Sequence, residues 1–170
     1  MRKTILVALV SISWMVTPWA VVHPQGRFRS NGEMIYYTRT NDQGLEIAFD
    51  KGPKWLRRRR LGCVACHGSG GRGKFIIWPT LKIAPDIRYD VLVKGKHDYG
   101  GNGEGQAHKR YTDESIRRAV TQGIGVDGKS FDRVMPRWKL SGRDLGDVVD
   151  YLKLLSRGIS PPPEPFPREP

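Results

Sequence analysis

The stretch Arg57–Gly73, RRRRLGCVACHGSGGRG, decides how the rest of the chain is read. Within it, Cys63-Val64-Ala65-Cys66-His67 has the form C-x-x-C-H, the attachment pattern of c-type haem. The spacing has a mechanical reason. Two thiols three residues apart on a tight helical turn reach the two vinyl groups on neighbouring edges of one porphyrin, and the next residue points beneath the ring. His67 then faces the iron as proximal ligand, its other ring nitrogen free to donate to a carbonyl that fixes its orientation. One haem c, attached through Cys63 and Cys66, is the expected cofactor.

Three plainer readings compete. A disulfide between Cys63 and Cys66 would close a tiny loop and staple nothing distant. A thioredoxin-like C-x-x-C is expected beside a βαβ pattern that this chain lacks. A structural zinc needs four ligands, and Cys63, Cys66, His67 and one remote histidine make a weak set. The adjacent histidine and an N-terminal export-type segment favour haem over all three.

Haem iron takes a second axial ligand, and a thioether sulfur suits an electron carrier because it raises the potential. Met135, in RVMPRW, is the candidate; Pro136 stiffens its loop, and packing is the plainer role for a methionine there. The competitors are His23, Met34, His97 and His108. His97 and His108 flank HDYGGNGEGQAH, a loop too rich in glycine to fix a ligand at an iron.

Further out, the patterning is helical. Thr112 is a candidate N-cap, Asp113 and Glu114 suit a first turn, and Ile116, Ala119 and Val120 fall at i, i+3, i+4, which predicts a short helix ending near Gly123. SGRDLGDVVDYLKLLSRG carries the strongest stripe: Leu145, Val148, Val149, Leu152 and Leu155, with Ser141 and Asp144 at its start and Gly158 at its end. Asn31 stands before GEMIYY as a helix cap, and Asn41 to Gly44 reads as a turn before LEIAF.

The chain has 170 residues and a formal net charge of +12, with 29 Lys and Arg against 17 Asp and Glu. That suits one domain whose partner is acidic. Arg2 and Lys3 precede the apolar run Thr4 to Val22, which has the order of a secretory leader and is also long enough to remain as an uncleaved anchor. Cleavage is favoured, membrane contact through residues 4–22 is the alternative, and both place the domain in the periplasm or on the outer face of the cytoplasmic membrane. No cysteine lies in the leader, so a lipid anchor there is excluded. The expected organisation is a leader or anchor over 1–22, an N-terminal extension over 23–50, a domain over 51–157 and an extended Pro-rich tail over 158–170, SPPPEPFPREP being unable to form helix or central strand.

C-x-x-C-H-G, a later Pro-x-Leu, and Met-Pro followed by a last amphipathic helix together resemble a class I monohaem cytochrome c, from about Gly62 to Leu155. The resemblance implies an all-α fold wrapped around one covalent haem, with His67 and Met135 as the iron ligands. It implies that a proline carbonyl receives the imidazole N–H. Pro79 of WPTL, twelve residues after His67, is the expected one, with Pro85 of APDI as its rival. It implies that the first and last helices cross through a glycine and an aromatic residue, here Gly32 and Tyr36 against Tyr151 and Leu152. Two departures stand out. Some two dozen residues separate GEMIYY from the cysteines, read as an inserted hairpin, the alternative being that PKWLRRRRLG is the first helix. The long Gly-rich loop from Gly95 to Lys109 has no counterpart.

The expected function is electron transfer by a single His/Met-ligated haem, with no catalysis, between redox partners of a membrane respiratory chain. The alternative is a haem enzyme, or the haem subunit of a larger oxidoreductase, with an open sixth position. Arg57 to Arg60 lie beside the attachment motif, where a positive rim attracts and orients an acidic redox partner and some arginines neutralise haem propionates. The plainer role is a solvated helix face. Nucleic acid is not an expected partner, since no basic-aromatic recognition motif accompanies the charge.

Overall fold

The computed structural model describes residues 27–95 and 109–159. The leader, His23, the Gly-rich loop with His97 and His108, and the tail beyond Ile159 lie outside the described residues. Among the described residues are six helices and four two-residue strands: α1 (Asn31–Thr38), β1 (Phe49–Asp50), α2 (Lys54–Arg59), α3 (Val64–His67), β2 (Ile76–Ile77), β3 (Lys82–Ile83), α4 (Tyr89–Lys94), α5 (Asp113–Gln122), β4 (Arg137–Trp138) and α6 (Gly142–Ser156).

The frame is the crossing of α1 and α6. Ser30 caps α1, its hydroxyl accepting from the Glu33 N–H at 3.1 Å. Asn31, expected as the cap, is the first helical residue, and its side-chain amide instead donates across the crossing to Asp144 at 2.9 Å and Asp147 at 2.7 Å. Gly32 lies so close to α6 that a Cβ there would stand 1.9 Å from the Asp147 carbonyl oxygen. Only glycine permits this approach, and it brings the Tyr36 and Tyr151 rings to 5.2 Å. One core cluster gathers Tyr36, Tyr37, Leu92, Ile116, Val149, Tyr151, Leu152 and Leu155. A second joins Ile35, Ile47, Phe49, Leu56, Trp138 and Val148. Each such side chain taken fully from water contributes about 1.5–3 kcal/mol.

α5 begins at Thr112 with a reciprocal cap to Ser115 and ends at Gly123 with φ 65°. α6 begins at Ser141 and buries Val148, Val149, Leu152 and Leu155, as their spacing predicts, while Leu145 stays half-buried and the charged Asp144 goes inside.

An all-α fold was expected, and the structure corrects it: the described residues form a mixed α and β arrangement with two small antiparallel pairs. β1 pairs with β4 so that Phe49 faces Trp138, with ring centroids 5.0 Å apart. β2 pairs with β3, Ile76 opposite Ile83, around the turn Trp78–Leu81. Each pair is anchored by aromatic or β-branched residues, Phe49 and Trp138 in one and Ile76, Ile77 and Ile83 in the other, which favour the extended backbone. The insertion before the cysteines holds a turn closed by the Gly44 N–H on the Asn41 carbonyl at 2.9 Å, a bridge between Thr40 and Glu46, strand β1 and helix α2. Among the described residues no helix is long and apolar enough to cross a membrane.

Candidate functional site

α3 is one turn carrying the C-x-x-C-H residues, with the His67 N–H on the Cys63 carbonyl at 2.9 Å. Its entry and exit are both held by α1. On entry, the Gly62 N–H donates to the Tyr37 carbonyl at 3.0 Å, and a Cβ on Gly62 would stand 2.4 Å from the carbonyl oxygens of Ile35 and Tyr36. On exit, the Tyr36 hydroxyl donates to the Gly68 carbonyl at 2.6 Å and the Tyr37 hydroxyl to that of Ser69 at 3.2 Å. The turn is thereby a fixed platform rather than a free loop.

His67 is buried, and its Nδ1 donates to the Pro85 carbonyl at 2.9 Å. A carbonyl oxygen only accepts, so Nδ1 carries the hydrogen and Nε2 keeps the lone pair that a metal requires. Burial lowers the His67 pKa, against the opposing effects of the Pro85 bond and the Asp86 charge, which keeps the ring neutral near pH 7. Pro79 does not take this role. It sits exposed in the β2–β3 turn, and Pro85, eighteen residues after His67, supplies the carbonyl. The correction has a physical reason: the intervening chain folds outward as a hairpin and returns, so the later proline is the one brought under the ring.

The segment bearing Pro85 is pinned on both sides. The Lys74 N–H donates to the Ala84 carbonyl at 2.8 Å, the Ala84 N–H to that of Phe75 at 3.1 Å, and the Ile87 N–H to that of Gly71 at 2.8 Å. Asp86 accepts from the Arg88 N–H at 3.0 Å and from its Nη2 at 2.7 Å. Gly73, at φ 65°, lets the chain pass so closely that a Cβ would meet the Ala84 oxygen at 2.2 Å.

Cys63, Cys66, His67 and Met135 all border one cavity of about 770 Å³, walled mainly by apolar residues such as Leu92, Ile116 and Leu152. Protein interiors leave few voids larger than a water molecule, so a space this size with such walls is shaped for a guest. Met135 is half-buried in the loop before β4. The loop is organised by Arg137, whose Nη2 donates to the Phe131 carbonyl at 2.8 Å and whose Nη1 donates to the carbonyl of Met135 itself. Gly123 makes room for that guanidinium, since a Cβ there would lie 1.8 Å from Arg137 Nε. Of the other candidate ligands, Met34 is buried in α1 away from the cavity wall. Arg137 and Gly73 carry roles that no periodicity announces; Tyr36 was expected at the helix crossing and Pro85 as the rival of Pro79, but nothing in the sequence pointed to the Tyr36 hydroxyl's bond to Gly68.

Both cysteines are free thiols. Burial, with the neighbouring Cys66 adding to it, pushes the Cys63 thiol up to about 12, and burial pushes Cys66 up to about 11. Thiols so reluctant to ionise are poor nucleophiles, unlike a thioredoxin-type pair. Among the described residues no group of three or more His, Cys, Asp and Glu side chains is arranged to hold a metal ion, so a zinc site gains no support there.

The arginine run divides. Arg57 donates to the Phe49 carbonyl at 2.7 Å and lays its guanidinium 4.4 Å over the Phe49 ring, which ties α2 to β1. Arg58, Arg59 and Arg60 are exposed and form no ion pair among the described residues.

No protein-family model, no curated protein and no solved structure matches the chain.

Proposed function

We propose that the chain is an exported c-type haem protein, resembling class I monohaem cytochromes c in its site, that passes single electrons between redox partners of a membrane respiratory chain. The observation that carries this is His67: a buried, neutral imidazole on the wall of a large apolar cavity, its Nδ1–H engaged by the Pro85 carbonyl and its Nε2 left as the electron-pair donor. The other groups fit the same guest. Cys63 and Cys66 offer two thiols on one turn at the cavity edge for covalent attachment, and Met135 offers a thioether on the same cavity. Haem held there supplies a one-electron Fe(III)/Fe(II) couple. The chain's part would be to hold His67 and Met135 on braced segments and to exclude water from the guest with aliphatic walls, so that redox change would need little rearrangement.

A carrier needs partners, and Arg58, Arg59 and Arg60 offer a rim that attracts an acidic one. The test is the optical spectrum of the oxidised protein, matured with haem-attachment machinery, beside Met135→Ala. The expected result is a chromophore that survives denaturation in both, with a sulfur-to-iron charge-transfer band in the parent alone. A chromophore lost on denaturation defeats the covalent haem. A parent without the band removes Met135 from the iron and brings forward a haem enzyme with an open sixth position.

A further inference from the structure

The β2–β3 hairpin is chemically unlike the rest of the surface. Phe75, Ile76, Trp78, Leu81 and Ile83 are all exposed, Trp78 at 72 % and Leu81 at 65 %. They are five of the six large apolar side chains that stand exposed among the described residues, gathered within nine residues. Isolated exposed apolar groups are ordinary, whereas a cluster on one projection marks a contact site. Its base is closed by the paired Lys74, Phe75 and Ala84, while of residues 76–83 only Ile77 turns inward. Leu81 holds a left-handed backbone, φ 56°, where glycine or asparagine would be less strained, so an apolar side chain is kept at the tip against backbone preference.

The charge along its own stretch of chain has one sign. From Lys51 to Pro85 the chain contains nine Lys and Arg and no Asp or Glu, and this stretch includes α2, the attachment motif and the whole hairpin. Lys74 and Lys82 lie on the hairpin itself, and Lys82 makes only an exposed contact with Asp132 at 3.6 Å. We infer that the hairpin is a membrane-docking element, which sinks Trp78, Leu81 and their aliphatic neighbours into the headgroup region of an anionic lipid surface while its lysines meet the lipid charge.

Aromatic and aliphatic side chains among lysines are the composition that lies at a bilayer interface, the Lys stems covering apolar surface while their ammonium heads reach the phosphates. A protruding tip with both ends exposed suits a yielding interface, whereas a protein partner would need a matching cleft. A second copy of the chain would bring the same positive charge against itself. Of the segments outside the described residues, 96–108 and 160–170 hold only Tyr99 and Phe166 as large apolar residues, and the apolar run Thr4–Val22, read as a leader or anchor, is taken up by export or by the membrane itself. Ile83, with Ile77 and Lys82, also lines the cavity, so its open face is shared with a guest there and the lipid contact falls to Phe75, Ile76, Trp78 and Leu81; docking through them turns the cavity mouth towards the membrane surface.

The test is vesicle flotation of the haem-loaded exported protein, purified after the leader has been cleaved, with vesicles of phosphatidylcholine alone and with phosphatidylglycerol added, across a salt series. The comparison is with Trp78→Ser/Leu81→Ser, two exposed positions whose change leaves the core intact, checked by circular dichroism. Because neither protein then carries the apolar leader, which would hold both on any vesicle, the difference isolates the hairpin. We expect binding that rises with the anionic lipid, falls with salt, and drops by about tenfold or more in the double variant. Equal binding of parent and variant overturns the inference, leaving charge alone as the attraction. So does a parent that ignores anionic vesicles while the double variant slows electron exchange with an acidic protein, which makes the hairpin a protein-docking site.

Discussion

Gly73 shows how far the site depends on single residues. Its φ of 65° and the 2.2 Å approach of the Ala84 oxygen to an added Cβ are separate obstacles to any side chain. Gly73→Ala is expected to cost about 2 kcal/mol or more, read as a lowered thermal midpoint, because the segment bearing the Pro85 carbonyl must move away from His67. Arg137 braces the loop that carries Met135. Arg137→Met keeps most of the stem but leaves the carbonyls of Phe131 and Met135 without that donor, a loss of about 1–3 kcal/mol. In the haem-loaded protein the expected outcome is that the sulfur-to-iron band disappears at lower temperature than in the parent while the covalent chromophore stays. A band with unchanged thermal behaviour would show that Arg137 does not position Met135.

At the scale of elements, the α1/α6 crossing rests on Gly32 and on a polar junction around Asp144. Gly32→Ala must push the helices apart, since its Cβ would fall 1.9 Å from the Asp147 oxygen, and unfolding by urea should show a loss of about 2–3 kcal/mol. Burial alone would raise the Asp144 carboxyl, but hydrogen bonds from Asn31, Ser141 and Asn41 outweigh it and hold the group below the usual carboxylate range. A carboxyl depressed in the folded state stabilises the fold above its unfolded value of about 3.9, and that stabilisation is lost as pH falls through the folded value. Asp144→Asn is therefore expected to be less stable at pH 7 and less sensitive to acid below about pH 4, measured as thermal midpoint against pH; parallel curves would refute it. The helices were legible where long apolar stripes define a face, as at Val148, Val149, Leu152 and Leu155. The strands were not, because two residues such as Arg137 and Trp138 are too short to show alternation, and their pairing is set by Phe49, far away in the chain. That Cys63, Cys66 and His67 share one helical turn was legible because their spacing is local. Which proline serves His67 was not, because that depends on the intervening residues folding as a hairpin.

For the whole molecule, the exposed arginines predict a salt dependence. Replacing Arg58, Arg59 and Arg60 with Gln is expected to slow electron exchange with an acidic partner several-fold at low ionic strength and to leave the rate nearly unchanged at high salt. Equal rates for parent and variant at low salt would assign these residues to solubility alone. The acid-free stretch from Lys51 to Pro85 has a wider consequence. Its elements border one cavity, through Leu56, Cys63, Ile77 and Lys82, and it supplies nine of the chain's 29 Lys and Arg but none of its 17 Asp and Glu. A negatively charged surface attracts such a stretch before any atoms touch. Arrival and departure are then governed by different features: the charge sets how often the molecule reaches its target, while the Trp78 tip sets how long it stays. A change of salt should alter the first rate with little effect on the second.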